Sequence, residues 1–229
     1  RFRLFQRFWR PDWTALTRVF RLGLPIGLTG LAESALFQAS ALMMGWIGTV
    51  ELAAHGIALE IVALTFMVHL GLSNAVTVRT GQAHGSGDVI ALRQGAQTGI
   101  ALSLTFAALT VALFLALPET LITPFLPADD PHRADIIATG IALLACAALF
   151  QLADAMQVMA LGLLAGVQDT RVPMVLASVS YWLIGIPASY ALAFPLGFGA
   201  VGLWLGLVVG LAMAALTLMT RFWAKLPRG

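Results

Sequence analysis

The sequence predicts an all-α, polytopic membrane protein built as a bundle of six transmembrane helices. Two observations predict it. Hydrophobic residues make up 59% of the 229 residues and charged residues only 10%, with a mean hydropathy of +0.89. A soluble domain carries roughly 25% charged residues, so this chain has too few to cover a surface that faces water. The apolar runs are also long and unalternating, rich in Leu, Ala, Gly and Val, which excludes a membrane β-barrel. A net charge of +2 gives no reason to expect nucleic acid. Cys146 lies inside an apolar run with no second cysteine to pair with, and reads as a small packed residue. The first residue is Arg1 rather than Met, so the chain is expected to continue a longer protein.

A span needs ~20 apolar residues at a rise of about 1.5 Å each. Six segments meet that length: Leu22–Gly48, Leu52–Val78, Ile90–Leu117, Ile136–Gly166, Val172–Phe194 and Val201–Trp223. Residues 1–21 form a basic arm, residues 22–223 the six-helix lobe and residues 224–229 a tail. Within the arm, Trp13, Leu16 and Phe20 recur at helical spacing among Arg18 and Arg21, as an interfacial amphipathic helix or a basic tether would have them. Pro118–Pro131 is the longest connection and reads as an irregular cap with a short helix, while Gly81–Asp88 reads as a tight turn. Pro25 and Pro187 should bend their spans. Gly202, Gly206 and Gly210 form a ridge suited to close packing of helices within the chain. No internal repeat is visible, so a transporter built from repeats would need a second copy outside these residues.

All but one of the 13 Lys and Arg residues fall on one side of the six spans; the exception, Arg133, stands with Glu51, Glu119, Asp129, Asp130 and Asp135 on the other. Basic loops stay in the cytoplasm, which predicts that both termini lie there; the expected location is the inner (plasma) membrane.

An ionisable group inside a span costs at least ~2.5–3.5 kcal/mol on insertion scales and marks function by default. Four stand out. Counted at about 1.5 Å per residue from the outer end of each span, Glu33 lies about 22 Å deep, His69 about 25 Å and Asp154 about 27 Å, with Glu60 only about 12 Å down. Gln151 and Gln157 flank Asp154 three residues to either side, making a polar stripe that must face protein or a watery cavity. Two carboxylates with amide oxygens at one depth could bind a hard cation such as Na⁺. Alternatively, like charges at one depth resist joint ionisation, and one carboxylate would then carry a proton. They could also form a polar clamp between helices. Glu60 reads equally as the wall of an outer vestibule or as a solvated residue, and His69 as a titratable or a neutral hydrogen-bonded group. His55 and His132 read as lying near the outer surface. No nucleotide loop, zinc motif or nucleophile elbow is present, so neither an enzyme nor a cofactor is expected.

Several segments resemble, in order, the sodium-coupled bacterial type of the MATE (multidrug and toxic compound extrusion) family. They are Gly23-Leu-Pro-Ile-Gly27 with Glu33, Leu42-Met-Met-Gly-Trp46-Ile-Gly48 with Leu52-Ala-Ala-His55, and Thr77-Val-Arg79-Thr-Gly81-Gln with Gly85-Ser-Gly87-Asp88. Phe150-Gln151, Asp154 and Gln157 follow, with Gly166, Asp169-Thr170 and Pro173 after them. The resemblance implies the C-terminal six-helix lobe of a two-lobe, twelve-helix antiporter. Such a protein exchanges Na⁺ or H⁺ for cationic amphipathic drugs across a cavity shared with an N-terminal lobe of the same protein. It also implies that Glu33 and Asp154 form the coupling site. Phe150 stands where relatives often have tyrosine, Glu60 for asparagine, Gly56 for glutamine, His69 for proline and Ala165 for arginine, which leaves proton coupling open. Phe150, Gln151, Gln157, Glu60 and His69 are the expected supporting or cavity-lining residues. The alternatives are a lobe of a lipid-linked saccharide flippase, which would want a basic cavity, and a non-transporting membrane scaffold subunit. Cysteines introduced at Asp88 and at Asp129 should react with impermeant reagents from opposite sides of the membrane, position 88 from the cytoplasm; reaction of both from one side would end the six-span reading.

Overall fold

A computed structural model describes residues 12–226. They form α1 (Trp13–Ile47), α2 (Thr49–Ser86), α3 (Val89–Ala116), the short α4 (Pro118–Ile122), α5 (Arg133–Gly166), α6 (Arg171–Val179), α7 (Ile186–Ala193) and α8 (Gly199–Lys225). A π-helical turn, Ser180–Gly185, joins α6 to α7 into one span. With that pair counted once, six helices among the described residues are long and apolar enough to cross a membrane. The protein is a multi-pass membrane protein, and the six predicted spans each correspond to one of these helices.

The boundaries differ where capping outweighs apolarity. Asp12 accepts hydrogen bonds from the Thr14 and Ala15 amides at 3.0 and 3.1 Å, so α1 starts at Trp13 and crosses residue 21 without a break. Residues 1–11, most of the basic arm, and residues 227–229 of the tail lie outside the described residues. Most of the glycine-rich stretch expected as a turn is helical, because α2 continues to Ser86. Gly87, at φ 73°, and Asp88 leave the helix, with the Asp88 amide reaching back to the Ala83 carbonyl. Asp88 then caps α3 through the Ala91 amide at 2.8 Å. Past α3, the expected cap with a short helix takes shape as α4 and one 3₁₀ turn, Thr123–Phe125, pinned by buried Ile122 against Gly140.

Helix α5 is the axle of the bundle, with α2, α3 and α8 packed around it. Water offers no help in hydrocarbon, so close approach and interhelical hydrogen bonds hold the contact. Along the α2–α5 seam, Ser73 Oγ donates to the Val158 carbonyl at 2.8 Å and Thr77 Oγ1 to the Gly162 carbonyl at 2.9 Å. A Cβ on Gly162 or Gly166 would collide with Ser73, Thr77 or Thr80. The ridge on α8 packs inside the chain: Gly202 faces Leu192, Gly206 faces Ser189, and Gly210 faces Gly185.

Pro187 explains the π turn. Its missing amide leaves the Leu183 carbonyl without its helical donor. The Ile186 amide bonds five residues back, to the Tyr181 carbonyl. Gly185 then lies so near Gly210 that a Cβ there would come 3.2 Å from the Gly210 Cα. Gly206→Leu should therefore lower thermal stability by the equivalent of ~1–3 kcal/mol through overpacking. Gly71→Leu, at a position with nothing within 4 Å, should leave the melting temperature in detergent nearly unchanged; equal melting temperatures for the two variants would contradict the seam.

Candidate functional site

The site begins with a charge that should not be in hydrocarbon. Asp154 is 2% exposed, on the face of α5 turned to α1 and α2. Glu33 of α1 lines the same cavity of about 400 Å³, together with Glu60 of α2. The rest of the wall is largely apolar and aromatic, from Phe37, Phe66, Met67 and Phe150. Phe150 is locked by ring contacts on both sides, 5.9 Å from Phe37 and 5.6 Å from Trp204 between centroids. Glu33 and Phe66 also line a second cavity of about 270 Å³ that extends past Asn74 and Thr77 to Asp169 and Thr170.

The structure thus brings together Glu33, Glu60, Phe150 and Asp154. Glu60, expected at a shallower depth, shares their cavity and is solvent-exposed in this chain. Gln157 is fully buried behind the pair: its side chain lies beside the Glu33 carboxylate and its amide nitrogen donates to the Tyr181 hydroxyl. Its Oε1 has no hydrogen-bond partner among the described residues. Gln151 turns into the α2–α5 seam, where its Oε1 accepts from Thr65 Oγ1 at 3.2 Å.

His69 is not a cavity residue. Its Nδ1 meets Ser103 Oγ at 2.8 Å and its ring packs edge-on against Phe106, both on α3. Position 69 is nine residues past Glu60, half a turn out of phase at 100° per residue, so it faces α3 when Glu60 faces the cavity. His55, expected near the outer surface, lies close to the start of α2 and is buried between helices. Trp204 Nε1 donates to its Nδ1 at 3.1 Å, which leaves its Nε2 facing Ser40 Oγ at 3.4 Å.

Two carboxylates in one cavity can hold a monovalent cation or share a proton, and the free amide oxygen of Gln157 is a neutral ligand at hand. Among the described residues no three His, Cys, Asp or Glu side chains cluster as a metal site.

Sequence reasoning missed two features. Tyr181 is one; a fully buried phenol in a span must find a polar partner, and that signal stood in the sequence. The other is a clamp outside the spans, where Asp169 Oδ2 receives Arg221 Nε and Lys225 Nζ, each at 2.7 Å. Alongside it, Arg18 donates to Gln168 Oε1 at 3.2 Å, so the start of α1 and the end of α8 both meet the α5–α6 loop.

A sequence profile of the family described as MatE matches residues 25–191. "Probable multidrug resistance protein NorM" of Rhizobium meliloti (strain 1021) is 48% identical over 228 residues, covering 100% of this chain and 49% of that protein. "Multidrug resistance protein NorM" of Burkholderia vietnamiensis is 39% identical over 225 residues, covering 98% of this chain and 49% of its own. The chain spans about half the length of the curated relatives it matches. Among solved structures, "Crystal structure of MATE in complex with MaD3S" aligns with a TM-score of 0.86 at 20% identity over 96% of this chain and 48% of that one. An outward-facing multidrug resistance MATE family transporter aligns with a TM-score of 0.83 at 22% identity, over 96% and 49%. At such identities the two structures speak to fold alone.

Burial would raise the Asp169 carboxyl, but the hydrogen bonds and charges of Arg221 and Lys225 outweigh it and hold the group below its ordinary value. A depressed folded-state value means the clamp's contribution is complete above the unfolded carboxyl value, about 3.9, and fades as pH falls through the folded one. Asp169→Asn should melt below wild type at neutral pH, and the difference should close only under acid conditions, below about pH 4; a difference independent of pH would show that the clamp is not ionic.

Proposed function

Because this chain belongs to the MatE family, we propose that it is the C-terminal six-helix lobe of a cation-coupled multidrug efflux antiporter. The observation that carries this reading is the meeting of Glu33 and Asp154, from two different helices, at one largely apolar cavity. An isolated buried charge is costly, and two acidic groups facing each other are costlier still. The arrangement is sensible if a transported cation or proton sits between them for part of the cycle. The names of the relatives, multidrug resistance proteins, support the efflux reading.

In this proposal the coupling ion, Na⁺ or H⁺, neutralises the pair, while a cationic amphipathic drug lies against Phe37, Phe66 and Phe150. Aromatic faces suit such a guest, since a cation over a ring gains ~0.5–2 kcal/mol. Ion and drug compete for the same negative charge, so loading one favours release of the other, which is the thermodynamic content of exchange. The other wall belongs to an N-terminal lobe of the same protein, in the roughly half of each relative that this chain does not cover. Both termini of the chain are taken as cytoplasmic, on the distribution of basic residues.

Glu33→Gln and Asp154→Asn, placed in the complete transporter, should each abolish ion-driven efflux while leaving insertion intact. Each keeps shape and removes a charge on which a bound monovalent ion depends in a low-dielectric site. Glu60→Asn, at an exposed position, should cost far less and shift the ion preference from H⁺ towards Na⁺. Efflux assays with ethidium under imposed Na⁺ or proton gradients check this; full ion dependence in both midspan variants at normal expression would reduce the pair to a structural clamp.

A further inference from the structure

The first two turns of α1 carry a pattern that the coupling site leaves unused. Thr14, Thr17, Arg18 and Arg21 recur at i, i+3, i+4 and i+7, so they share one face of the helix. Leu16, Val19 and Phe20 stand on the opposite face, each more than half exposed. A helix end divided in this way rests its apolar face in the membrane surface and turns its basic face to headgroups or water. Trp13, an exposed indole at the border of the two faces, is the residue type that anchors helices at that level.

The polar face is one wall of a groove of about 840 Å³, and the α5–α6 loop with the start of α6 is the other. That size lies within the roughly 300–1,000 Å³ of small-ligand sites. Arg18 and Arg21 line it from α1, and Arg171 from the first turn of α6. Arg18 donates to Gln168 Oε1 at 3.2 Å, in a direction fixed because a guanidinium has no acceptor. Gln168 makes that contact from a left-handed backbone, φ 61°, which few residues other than glycine adopt. Among the described residues, Arg21 and Arg171 make no ion pair. Three acids share that side of the bundle, and each is engaged: Asp12 caps α1, Asp88 caps α3, and Asp169 is held by Arg221 and Lys225. Residues 1–11 contain four Arg and no Asp or Glu. An anion for this groove therefore has to come from outside these residues.

We propose that this groove binds the headgroup of an anionic phospholipid, with Arg18, Arg21 and Arg171 gripping its phosphate while Leu16, Val19 and Phe20 keep α1 bedded in the surrounding lipid. All the basic residues that line the groove are arginines. A guanidinium matches two phosphate oxygens at once, where a lysine would offer only a point charge. A zwitterionic lipid carries the same phosphate beside an amine cation, which three arginines repel. A free phosphate ion lacks the advantage of being concentrated at this level by the membrane, where basic pockets between spans take up anionic headgroups. The bound headgroup bridges α1 to α6 beside the Asp169 clamp, so lipid composition sets how firmly that end of α1 is held. The groove shares no lining residue with the cavity of Glu33 and Asp154, and the site stands whether or not that pair couples an ion.

Native mass spectrometry of the purified complete transporter, titrated with short-chain phosphatidylglycerol in a neutral detergent, counts bound lipids and gives their affinities. One phosphatidylglycerol should bind clearly more tightly than phosphatidylcholine. Arg171→Gln should weaken it by ~5-fold, the weight of one basic residue at an anionic surface, and Arg18→Gln combined with Arg21→Gln by ~25-fold. Because Arg171 makes no ion pair among the described residues, Arg171→Gln removes charge without breaking one, and it decides the matter if the double variant fails to fold. Arg171→Lys should recover only part of the affinity, since it restores the charge but not the fork. Arg79→Gln and Arg93→Gln take the same charge from the same side, and neither residue lines the groove. An equal loss of affinity in those two would reduce the effect to general surface charge and overturn the site. Inorganic phosphate at millimolar concentration should leave the lipid in place; its displacement would make free phosphate the ligand and overturn the lipid assignment. Equal affinities for phosphatidylcholine and phosphatidylglycerol would overturn it as well.

Discussion

Hydrocarbon cannot hydrogen-bond, and the rest of this bundle is arranged around that constraint. Each polar group that enters a span has to find its partner inside the protein or open onto a cavity. Ser73 and Thr77 satisfy it by donating to carbonyls of α5, which draws α2 and α5 together over Gly162 and Gly166. His55, Trp204 and Ser40 satisfy it as a closed network across α1, α2 and α8. The carboxylates of half-buried Glu33 and buried Asp154 instead share a cavity, and such a pair with no basic partner among its lining residues is chemically unfinished. That incompleteness is what the proposed ion coupling would use.

The same constraint shapes the mechanics. Helix α5 is held by small residues on one side and by α8 on the other, so the Asp154 position belongs to the rigid part of the bundle. Helix α1 is more loosely attached. Its apolar residues Leu24, Ile26, Leu28 and Leu31 are exposed, with no neighbour covering that face among the described residues. A charge on a loosely packed helix facing a charge on a rigid one is a natural lever. Neutralising the pair relieves the same repulsion on both helices, and the less tightly packed α1 is the one free to respond. At the basic end, the Asp169 clamp joins the α5–α6 loop to α8, and the Arg18–Gln168 bond reaches the same loop from α1. Movement of α1 there would have to break or carry that bond.

The sequence made the spans legible because a bilayer imposes length and apolarity on each helix by itself. It misjudged ends where a local cap decided them, as Asp12 does for α1 and Gly87 for α2. The costly charges Glu33 and Asp154 were legible for the same energetic reason. Depth arithmetic grouped His69 with them, whereas the structure turns His69 to Ser103 and Phe106 and brings Glu60 to the cavity instead. Depth along a helix follows from counting residues, but the direction a side chain faces depends on which neighbour claims that side. Tyr181 carried a signal, a phenol in a span that needs a partner, but which partner it meets depends on a π turn whose trace in the sequence is Pro187 near Gly185.

The central claim is that Glu33 and Asp154 act as one ion-binding unit. Difference infrared spectroscopy on the purified complete transporter tests it most directly, because it follows carboxyl and carboxylate bands as the coupling ion is added, whether Na⁺ at fixed pH or H⁺ itself. A unit shared by two acids should give one carboxyl signal that vanishes in Glu33→Gln and in Asp154→Asn alike. The same ion-dependent carboxyl signal persisting unaltered in both variants would contradict the account.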